Sequence, residues 1–420
     1  MAWRSTLLWL LLIGGAIVIT YQLSDAVDIV DTHCTVEQDP MCPEPYFSTS
    51  YWIARTKFRK AVAKVPNAIL EKHLVLVDPG TDLELTIETA VIPGRGDKLL
   101  VVTSGVHGAE GFLGSAVQLA LLDRLHQDVV PAADSRPTIL MIHAANPYGF
   151  AFHRRMNEHN VDLNRNALSE QQFAEVLADQ DRRDSFELLR YLTEFDPTLG
   201  IPTVWSIILH VGRIIHAMVF HGVVKMKHCL ARGQYHDAKA MPFGGQRLEK
   251  TYEIFEKVLN PFRSCRAVWV VDIHTGLGAK GAEQILALTE AGGSFADAYT
   301  KSLPSGSEVS MSCLYCTTPY GAGVVDGYQG VKVLDYSMFF DNLRFQLFDE
   351  YGTVPISAIG IAMSIEHTVN ISAPRSIAHE WAGRRLLRRV FYDETVAWKN
   401  ATLWKGVALL DAMIAEAMVE

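Results

Sequence analysis

The chain has 420 residues, of which 49% are hydrophobic and 20% are charged. This composition excludes a disordered chain, a collagen-like chain and a small disulfide-stabilised scaffold, and it allows a large buried core. There are 47 acidic against 38 basic residues, which gives a net charge of -9. Because proteins that bind nucleic acid by neutralising its phosphates carry basic surfaces, a nucleic-acid partner is not expected.

An uncharged segment over residues 5–24 lies between Arg4 and a group of aspartates. Its length is close to the roughly 20 residues of a membrane-spanning helix, and its apolar centre also suits a signal peptide. We therefore expect a signal anchor or signal peptide over residues 1–26, followed by a tether over residues 27–50. Since the positive charge stays on the cytosolic side, the rest of the chain would be lumenal or extracellular, either membrane-anchored or secreted.

The six cysteines are compatible with an oxidising compartment. Cys34 and Cys42 flank a short loop and could pair with each other. Cys313 and Cys316 form a CxxC pair, but no matching pair of further ligands lies nearby, so a zinc site there is not favoured. Asn400 begins a glycosylation sequon in a polar stretch, and we expect it to carry the modification in a lumenal protein.

Strand and helix patterns alternate along the chain after a helical pattern over Tyr51–Lys72. The apolar or β-branched runs that read as strands are Leu74–Val77, Leu83–Ile92, Leu99–Thr103, Thr138–His143, Ala267–Ile273 and Ile359–Ile365. Helical patterns cover Gly111–His126 and residues 376–420. This alternation predicts an α/β protein whose sheet is covered by helices on both faces.

The strand Leu99–Thr103 leads into the sequence SGVHGAEG. His107 and Glu110 are three residues apart at a strand end, where both side chains can turn toward one point. Imidazole nitrogen and carboxylate oxygen are good zinc ligands, although an HxxE pair alone is common by chance.

A third candidate ligand, His274, follows the apolar strand Ala267–Ile273. Ligands in α/β proteins bind at the carboxyl ends of strands, so His274 would lie at the same edge as His107 and Glu110. Two histidines, one glutamate and an open fourth position are typical of a catalytic zinc site. Asp272 points to the same side as His274 and could orient a histidine ring.

Two further groups of residues suit the chemistry of hydrolysis. Arg155, Asn164 and Arg165 lie in a polar loop segment; arginine binds carboxylates in a two-pronged geometry, and asparagine adds a neutral donor. They suit a substrate carboxylate or a developing oxyanion. Glu366 ends the predicted strand Ile359–Ile365, where it would be the general base that takes a proton from the attacking water.

The motifs occur together in a fixed order: HGAEG at 107–111, NPYGF at 146–150, RRMNEHNVDLNRN at 154–166, GQY at 233–235 and DIHTGLG at 272–278. In this set the chain resembles the zinc metallocarboxypeptidases related to carboxypeptidase A. The closest resemblance is to a little-characterised branch labelled as a domain of unknown function. It covers roughly Leu74 to Thr368.

The resemblance implies a three-layer α/β/α fold with a mixed, mostly parallel sheet, and one catalytic domain over residues 51–420. It implies one zinc ion per chain. The implied roles are zinc binding by His107, Glu110 and His274, carbonyl polarisation by Arg155, carboxylate binding by Asn164 and Arg165, and general-base catalysis by Glu366. The substrate-capping tyrosine of these enzymes has no clear counterpart, and either Tyr328 or Tyr336 could supply it.

Three functions remain open on this basis. The first is a zinc carboxypeptidase or related amidase that acts next to a free carboxylate. The second is a deacylase of N-acyl amino acids, similar to aspartoacylase and succinylglutamate desuccinylase; these carry a β-rich domain after the catalytic glutamate, whereas the residues after Glu366 here read as helix. The third is a membrane-anchored binding protein that has lost catalysis. The substrate would be a peptide or an acylated amino acid.

Overall fold

The computed structural model of the protein describes residues 34–35, 39, 41–193, 212–213, 215–217, 219–314, 331–354 and 356–419. The expected N-terminal anchor and most of the tether lie outside these residues. No helix in the described part of the chain is both long enough and apolar enough to cross a membrane. Cys34 and Cys42 form a disulfide, as their spacing allowed, and Cys313 is also disulfide-bonded.

An eight-stranded mixed sheet forms the centre of the protein. In chain order its strands are β1 Ile69–Val77, β2 Glu84–Ile92, β3 Arg95–Ser104, β4 Pro137–His143, β5 Ala267–Leu277, β6 Glu283–Ala287, β7 Val309–Cys313 and β8 Leu343–Val354. The spatial order is β1-β2-β4-β3-β5-β8-β6-β7. Four of the seven neighbouring pairs are parallel, namely β3–β4, β3–β5, β5–β8 and β6–β7. A mixed, mostly parallel sheet is therefore confirmed.

Helices cover both faces of this sheet. In chain order they are α1 Tyr51–Val62, α2 Gly111–His126, α3 Pro147–Phe152, α4 Glu170–Ala178, α5 Gln180–Thr193, α6 Val223–Arg232, α7 Lys250–Leu259, α8 Glu290–Ser302, α9 Ile356–Ser372, α10 Ile377–Glu380, α11 Arg388–Phe391 and α12 Val396–Val419. A π-helical turn over Trp381–Leu387 joins α10 to α11. The three-layer α/β/α arrangement is as predicted.

The central strands β3 and β5 each contain a continuous apolar run, Leu99–Val102 and Ala267–Val271, because these stretches are buried on both faces of the sheet. On β3, Leu100 and Val102 pack into the core that α1, α2 and α12 share with the sheet. Their neighbours Leu99 and Val101 pack into the opposite core, beneath α7. Successive side chains of a strand point to opposite faces, so an uninterrupted apolar run is the expected sequence for such a position.

Two predicted elements were wrong. The helical pattern over Tyr51–Lys72 ends at Val62, and β1 begins at Ile69. Residues 359–365 are not a strand but lie within helix α9. A short apolar run does not distinguish a buried strand from a buried helix, since neither shows a polar face in its sequence. The strand that pairs with β5 is β8, and not residues 359–365.

Candidate metal centre and active site

The turn that carries His107 and Glu110 follows directly from the carboxyl end of β3. Gly105 has φ +66°, a left-handed conformation that glycine adopts without strain. A short 3₁₀ turn over Gly108–Glu110 leads into α2. A Cβ atom on Gly108 would lie only 2.0 Å from the carbonyl carbon of Gly149, so a side chain cannot be accommodated there. Gly105 therefore allows the tight turn, and Gly108 allows its close contact with α3.

The structure brings His107, Glu110 and His274 together. Strand β5 is the parallel neighbour of β3, which places His274 beside the turn. One donor atom of each residue lies within 4.8 Å of the other two, and all three side chains are buried. The Nδ1 atoms of His107 and His274 lie 3.0 Å and 2.9 Å from the two carboxylate oxygens of Glu110.

A carboxylate stands behind each histidine. The Nε2 atom of His107 hydrogen-bonds to Oδ1 of Asp162 at 3.0 Å. The Nε2 atom of His274 lies 3.0 Å from Oδ2 of Asp272. Such partners fix the ring orientation, so that the other nitrogen faces the site as a ligand. The sequence pointed to Asp272, but the role of Asp162 was missed even though it lies within the DLNRN motif.

These residues fit a zinc ion. The donors of a tetrahedral zinc site lie about 3.3 Å apart, given zinc–ligand distances of roughly 2.0–2.1 Å. The separations around Glu110 are close to this value. In addition, the buried Nδ1 atom of His107 has no hydrogen-bond partner and faces Glu110. Two imidazoles, one carboxylate and their carboxylate partners are the donor set expected for catalytic zinc.

The charges around the site shift the pKa values of Glu110 and His274. Burial alone would raise the pKa of Glu110, but the positive charge of His107, with His274 and Arg155 nearby, holds that pKa below its usual value. Burial would lower the pKa of His274, but the charge of Asp272 raises it well above the usual value. Because ligands must be deprotonated, a metal ion would compete with the proton that the raised pKa favours on His274.

Arg155 lies at the rim of the same site. Its Nη1 atom donates to Oε1 of Glu110 at 2.8 Å, and its Nε atom lies 3.4 Å from Oδ2 of Asp162. Its side chain keeps 17% of its surface exposed, whereas Glu110 and Asp162 keep only 2% each. A guanidinium in this position lies beside the metal ligands and is still reachable from solvent.

Asn164 and Arg165 lie on a short 3₁₀ turn, Leu163–Arg165, behind this rim. The side-chain oxygen of Asn164 accepts a hydrogen bond from the Leu334 amide at 2.8 Å. Arg165 donates to the carbonyl oxygens of Ala231 at 2.6 Å and of Asn164 at 2.7 Å. Both residues are buried. They hold the end of α6 and the segment around Leu334 in place, and their role as a carboxylate anchor stays a prediction.

Glu366 does not occupy the position expected of it. It lies on helix α9, not at a strand end, and it is buried. Its Oε1 atom lies 2.9 Å from Nε of Arg154 and 3.9 Å from Nε2 of His379. These contacts make it part of a buried ion pair, because the apolar run before it is a helix and directs the carboxylate toward Arg154.

A different acid, Glu350, lies on the strand next to the candidate ligand His274, and the sequence reasoning missed it. Strand β8 is the parallel neighbour of β5, and Glu350 is the register partner of His274. Register partners on parallel strands point to the same face of the sheet. Consistent with this, the ring of Phe348, two residues before Glu350, lies 5.4 Å from the ring of His274. In the sequence, only the apolar pair Leu347 and Phe348 precedes the acids Asp349 and Glu350, which is too short a run to mark a strand end.

Of the two tyrosines considered as a substrate cap, only Tyr336 is described. It is fully buried, and its hydroxyl is hydrogen-bonded to Thr103. Burial raises the pKa of Tyr336 well above its usual value. A tyrosine fixed in the core in this way does not reach a substrate. Tyr328 lies outside the described residues.

Comparison with known proteins places the chain in a family. Residues 47–405 match the family described as "Protein of unknown function (DUF2817)", which agrees with the branch that the motifs indicated. No curated protein has significant sequence similarity to the chain.

Several solved structures are similar at low identity. Carboxypeptidase A from Helicoverpa armigera is 13% identical, with a TM-score of 0.39, over 87% of this chain and 74% of that one. Thrombin activatable fibrinolysis inhibitor is 9% identical, with a TM-score of 0.37, over 86% and 78%. A succinylglutamate desuccinylase from a Silicibacter species is 12% identical, with a TM-score of 0.29, over 72% and 65%.

Proposed function

We propose that this chain, which belongs to the DUF2817 family, is a zinc-dependent hydrolase that cleaves an amide or peptide bond next to a free carboxylate. The observation that carries the proposal is the cluster of His107, Glu110 and His274. Its donors lie within 4.8 Å of one another at the carboxyl edge of the sheet. Asp162 and Asp272 stand behind the two histidines.

When bound, zinc would supply Lewis-acid polarisation of the scissile carbonyl and lower the pKa of a water molecule. Asp162 and Asp272 keep each histidine in the tautomer whose Nδ1 faces the site. Arg155 lies at the rim, where its guanidinium can donate to the carbonyl oxygen as negative charge develops on it. These residues supply the binding and the charge stabilisation that amide hydrolysis needs.

Glu350, rather than Glu366, would serve as the general base. Its place on β8 sets it on the face of His274, at the edge where a substrate would bind. From there it can accept a proton from the attacking water and return one to the leaving nitrogen. Glu366 is held by Arg154 at 2.9 Å, and we assign it no proton transfer.

A free carboxylate on the substrate would be held by Asn164 and Arg165. A guanidinium that binds the carboxylate of the substrate would select substrates without taking part in the chemistry. The deacylase alternative would require a β-rich domain after the catalytic strand. Among the described residues after β8, which are 356–419, every regular element is a helix. This supports the peptidase or amidase over the small-molecule deacylase.

One panel of measurements tests the proposal. Metal analysis of purified protein should give one zinc per chain, and His274→Ala should lose it. Hydrolysis is then compared for a peptide with a free C-terminus, the same peptide amidated, and an N-acyl amino acid. Cleavage of the free peptide alone fits the proposal, and cleavage of the acyl amino acid alone favours the deacylase. Zinc binding without any hydrolysis would instead indicate a binding protein.

We also propose that the catalytic domain is lumenal or extracellular, anchored by residues 1–26 or secreted after their removal. The disulfide between Cys34 and Cys42 supports an oxidising compartment. Asn400, the sequon considered above, is exposed on α12.

A further inference from the structure

Arg154 and Glu366 form a buried ion pair that the proposed reaction does not use. Arg154 Nε lies 2.9 Å from Glu366 Oε1, and the two side chains keep only 2% and 4% of their surface exposed. A second nitrogen of Arg154, Nη2, donates to Oδ1 of Asn160 at 3.1 Å. Burying two charges has a large desolvation cost, so such a pair is weak evidence for stability by itself. A role other than stabilisation would explain this pair better.

Helix α9 supplies a second partner for the same guanidinium. Asn370 lies one turn after Glu366. With its amide oxygen turned toward Arg154, Asn370 accepts hydrogen bonds from Nη1 at 3.0 Å and Nη2 at 2.9 Å. In this orientation its amide nitrogen also donates to His379. The guanidinium is therefore held on three sides, and its position relative to α9 is fixed.

The main chain of Arg154 reaches the turn that carries the metal ligands. Its carbonyl oxygen accepts a hydrogen bond from the Ala109 amide at 2.9 Å, and the carbonyl oxygen of Arg155 accepts one from Gly108 at 3.4 Å. Gly108 and Ala109 are the two residues between His107 and Glu110. The amides of Gly108 and Ala109 are thus held by two consecutive carbonyls of the chain.

The side chain of the next residue, Arg155, contacts Glu110 and the carboxylate behind His107, which is Asp162. Arg154 and Arg155 are adjacent, so the side chain of one points into α9 and the side chain of the other points to the metal site. When α9 holds the Arg154 guanidinium in place, it also holds the backbone from which the Arg155 side chain extends. It also fixes both carbonyls that hold the turn.

We propose that Glu366 is a positioning residue: by anchoring Arg154 to α9, it holds His107 and Glu110 at the spacing that binds the metal. The inference rests on the proposed function, because it takes these residues as metal ligands. Glu366 touches neither ligand and takes no part in proton transfer. Removing its charge releases Arg154 from α9. The turn that carries His107 and Glu110 is then held less firmly, and metal binding weakens.

The test measures metal affinity rather than turnover. Zn²⁺ or Co²⁺ is titrated into metal-free protein against a competing chelator, and the visible absorption of bound Co²⁺ reports the ligand geometry. Glu366→Gln should bind either metal about tenfold more weakly, within the range seen when residues behind metal ligands are changed. The Co²⁺ spectrum should change as well.

Glu88→Gln is the matched control. Glu88 is a buried carboxylate that accepts from Arg59 at 2.6 Å, and it lies on β2. Both variants should lower the melting temperature, because each neutralises a buried carboxylate that is paired with a guanidinium. Only Glu366→Gln should alter the metal affinity and the Co²⁺ spectrum.

Equal metal affinity and equal spectra for Glu366→Gln and the wild type would overturn the positioning role. If Glu366→Gln does not fold, Arg154→Lys replaces it; lysine keeps the charge but cannot reproduce the planar contacts of arginine. Unchanged affinity in Arg154→Lys would likewise overturn the role. A wild type that binds no metal, or that loses none in His274→Ala, would overturn the proposed function itself, and the positioning role with it. These outcomes are distinguishable from each other in one experiment.

Discussion

His274 and Glu350 are register partners on the adjacent parallel strands β5 and β8. One is a candidate metal ligand, and the other is an acid on the same face of the sheet. Their placement follows from the strand register alone. It means that the group suited to proton transfer comes from the sheet edge and not from the helix that follows it.

The first prediction separates the two acids considered as general base. Glu350→Gln removes the proton acceptor but keeps the shape of the side chain, so turnover should fall by about 10²–10⁴ while zinc stays bound. Metal content and kcat are measured on the same preparation. Glu366→Gln, assayed with zinc at saturation, should keep most of its turnover. The reverse ranking of the two variants would restore Glu366 as the base.

The second prediction concerns the carboxylate behind His107. Asp162→Asn keeps a hydrogen-bond acceptor but loses the charge that favours the required tautomer of His107. Zinc affinity should fall by roughly 10–100-fold. Competition with a chelator measures this directly. Asp335→Asn, which changes an aspartate that caps the short turn Tyr336–Met338, should leave zinc affinity unchanged. An unaltered affinity in Asp162→Asn would show that the contact is incidental.

How much of this site could be predicted depends on how visible each strand is in the sequence. Strands β3 and β5 contain the uninterrupted apolar runs Leu99–Val102 and Ala267–Val271, so the positions of His107 and His274 near their carboxyl ends could be deduced. Strand β8 is different because Gln346, Asp349 and Glu350 interrupt it. Its polar residues face both sides of the sheet, so neither alternation nor a continuous apolar run was present.

Part of helix α9 was predicted as a strand because its sequence has too few polar residues, whereas β8 has too many. Its first half, residues 356–365, is nearly all apolar, and so no helical periodicity marks it. The Arg154–Glu366 pair links residues 212 positions apart, and sequence spacing carries no signal for such a contact. The roles of Asn164 and Arg165 could be suggested only from motif resemblance, because their partners, the Leu334 amide and the Ala231 carbonyl, are distant in the sequence.

The third prediction concerns the carboxylate anchor. Arg165→Met should weaken the reaction of substrates with a free C-terminal carboxylate by roughly 1.5–3 kcal/mol, the range for a charge-assisted contact. The quantity to compare is the ratio of kcat/KM for free and amidated peptides. Since Arg165 also holds the Ala231 carbonyl, structural damage would lower both values together and leave the ratio unchanged. An unchanged ratio would therefore exclude the anchor role.

The fourth prediction concerns membrane topology. If residues 1–26 anchor the chain, the catalytic domain should resist protease in sealed vesicles and become sensitive when detergent is added. Asn400 should carry a glycan, and Asn400→Gln should increase the mobility of the chain on a gel. Asn370 bears the other sequon but is buried beside Arg154, so Asn370→Gln should leave the glycan unchanged. Digestion of the domain in intact vesicles would contradict this topology.

The last prediction concerns the face of the sheet opposite the metal site, where Glu283 and Asp349 form a buried pair of carboxyl groups. Both keep only 1% of their surface exposed, and Asp349 also accepts from the Tyr351 hydroxyl at 2.7 Å. Burial raises the pKa of Glu283 to about 7, and burial together with the charge of Glu283 raises the pKa of Asp349. The native state thus holds a proton that the unfolded chain releases at lower pH.

The sign of the effect follows from this difference. A carboxyl group whose pKa is raised in the folded state stabilises the protein below its unfolded pKa, and this contribution is lost as the pH rises through the folded value. Wild-type stability should therefore decline between about pH 4.5 and pH 7. Glu283→Gln mimics the protonated acid and can donate to Asp349. It should melt a few degrees above the wild type at pH 8 and show little difference at pH 5. Glu308 is an exposed acid directly before β7. The melting temperature of Glu308→Gln, relative to the wild type, should not depend on pH in this way. Equal melting temperatures for Glu283→Gln and wild type at pH 8 would mean that burial does not raise the pKa of this pair.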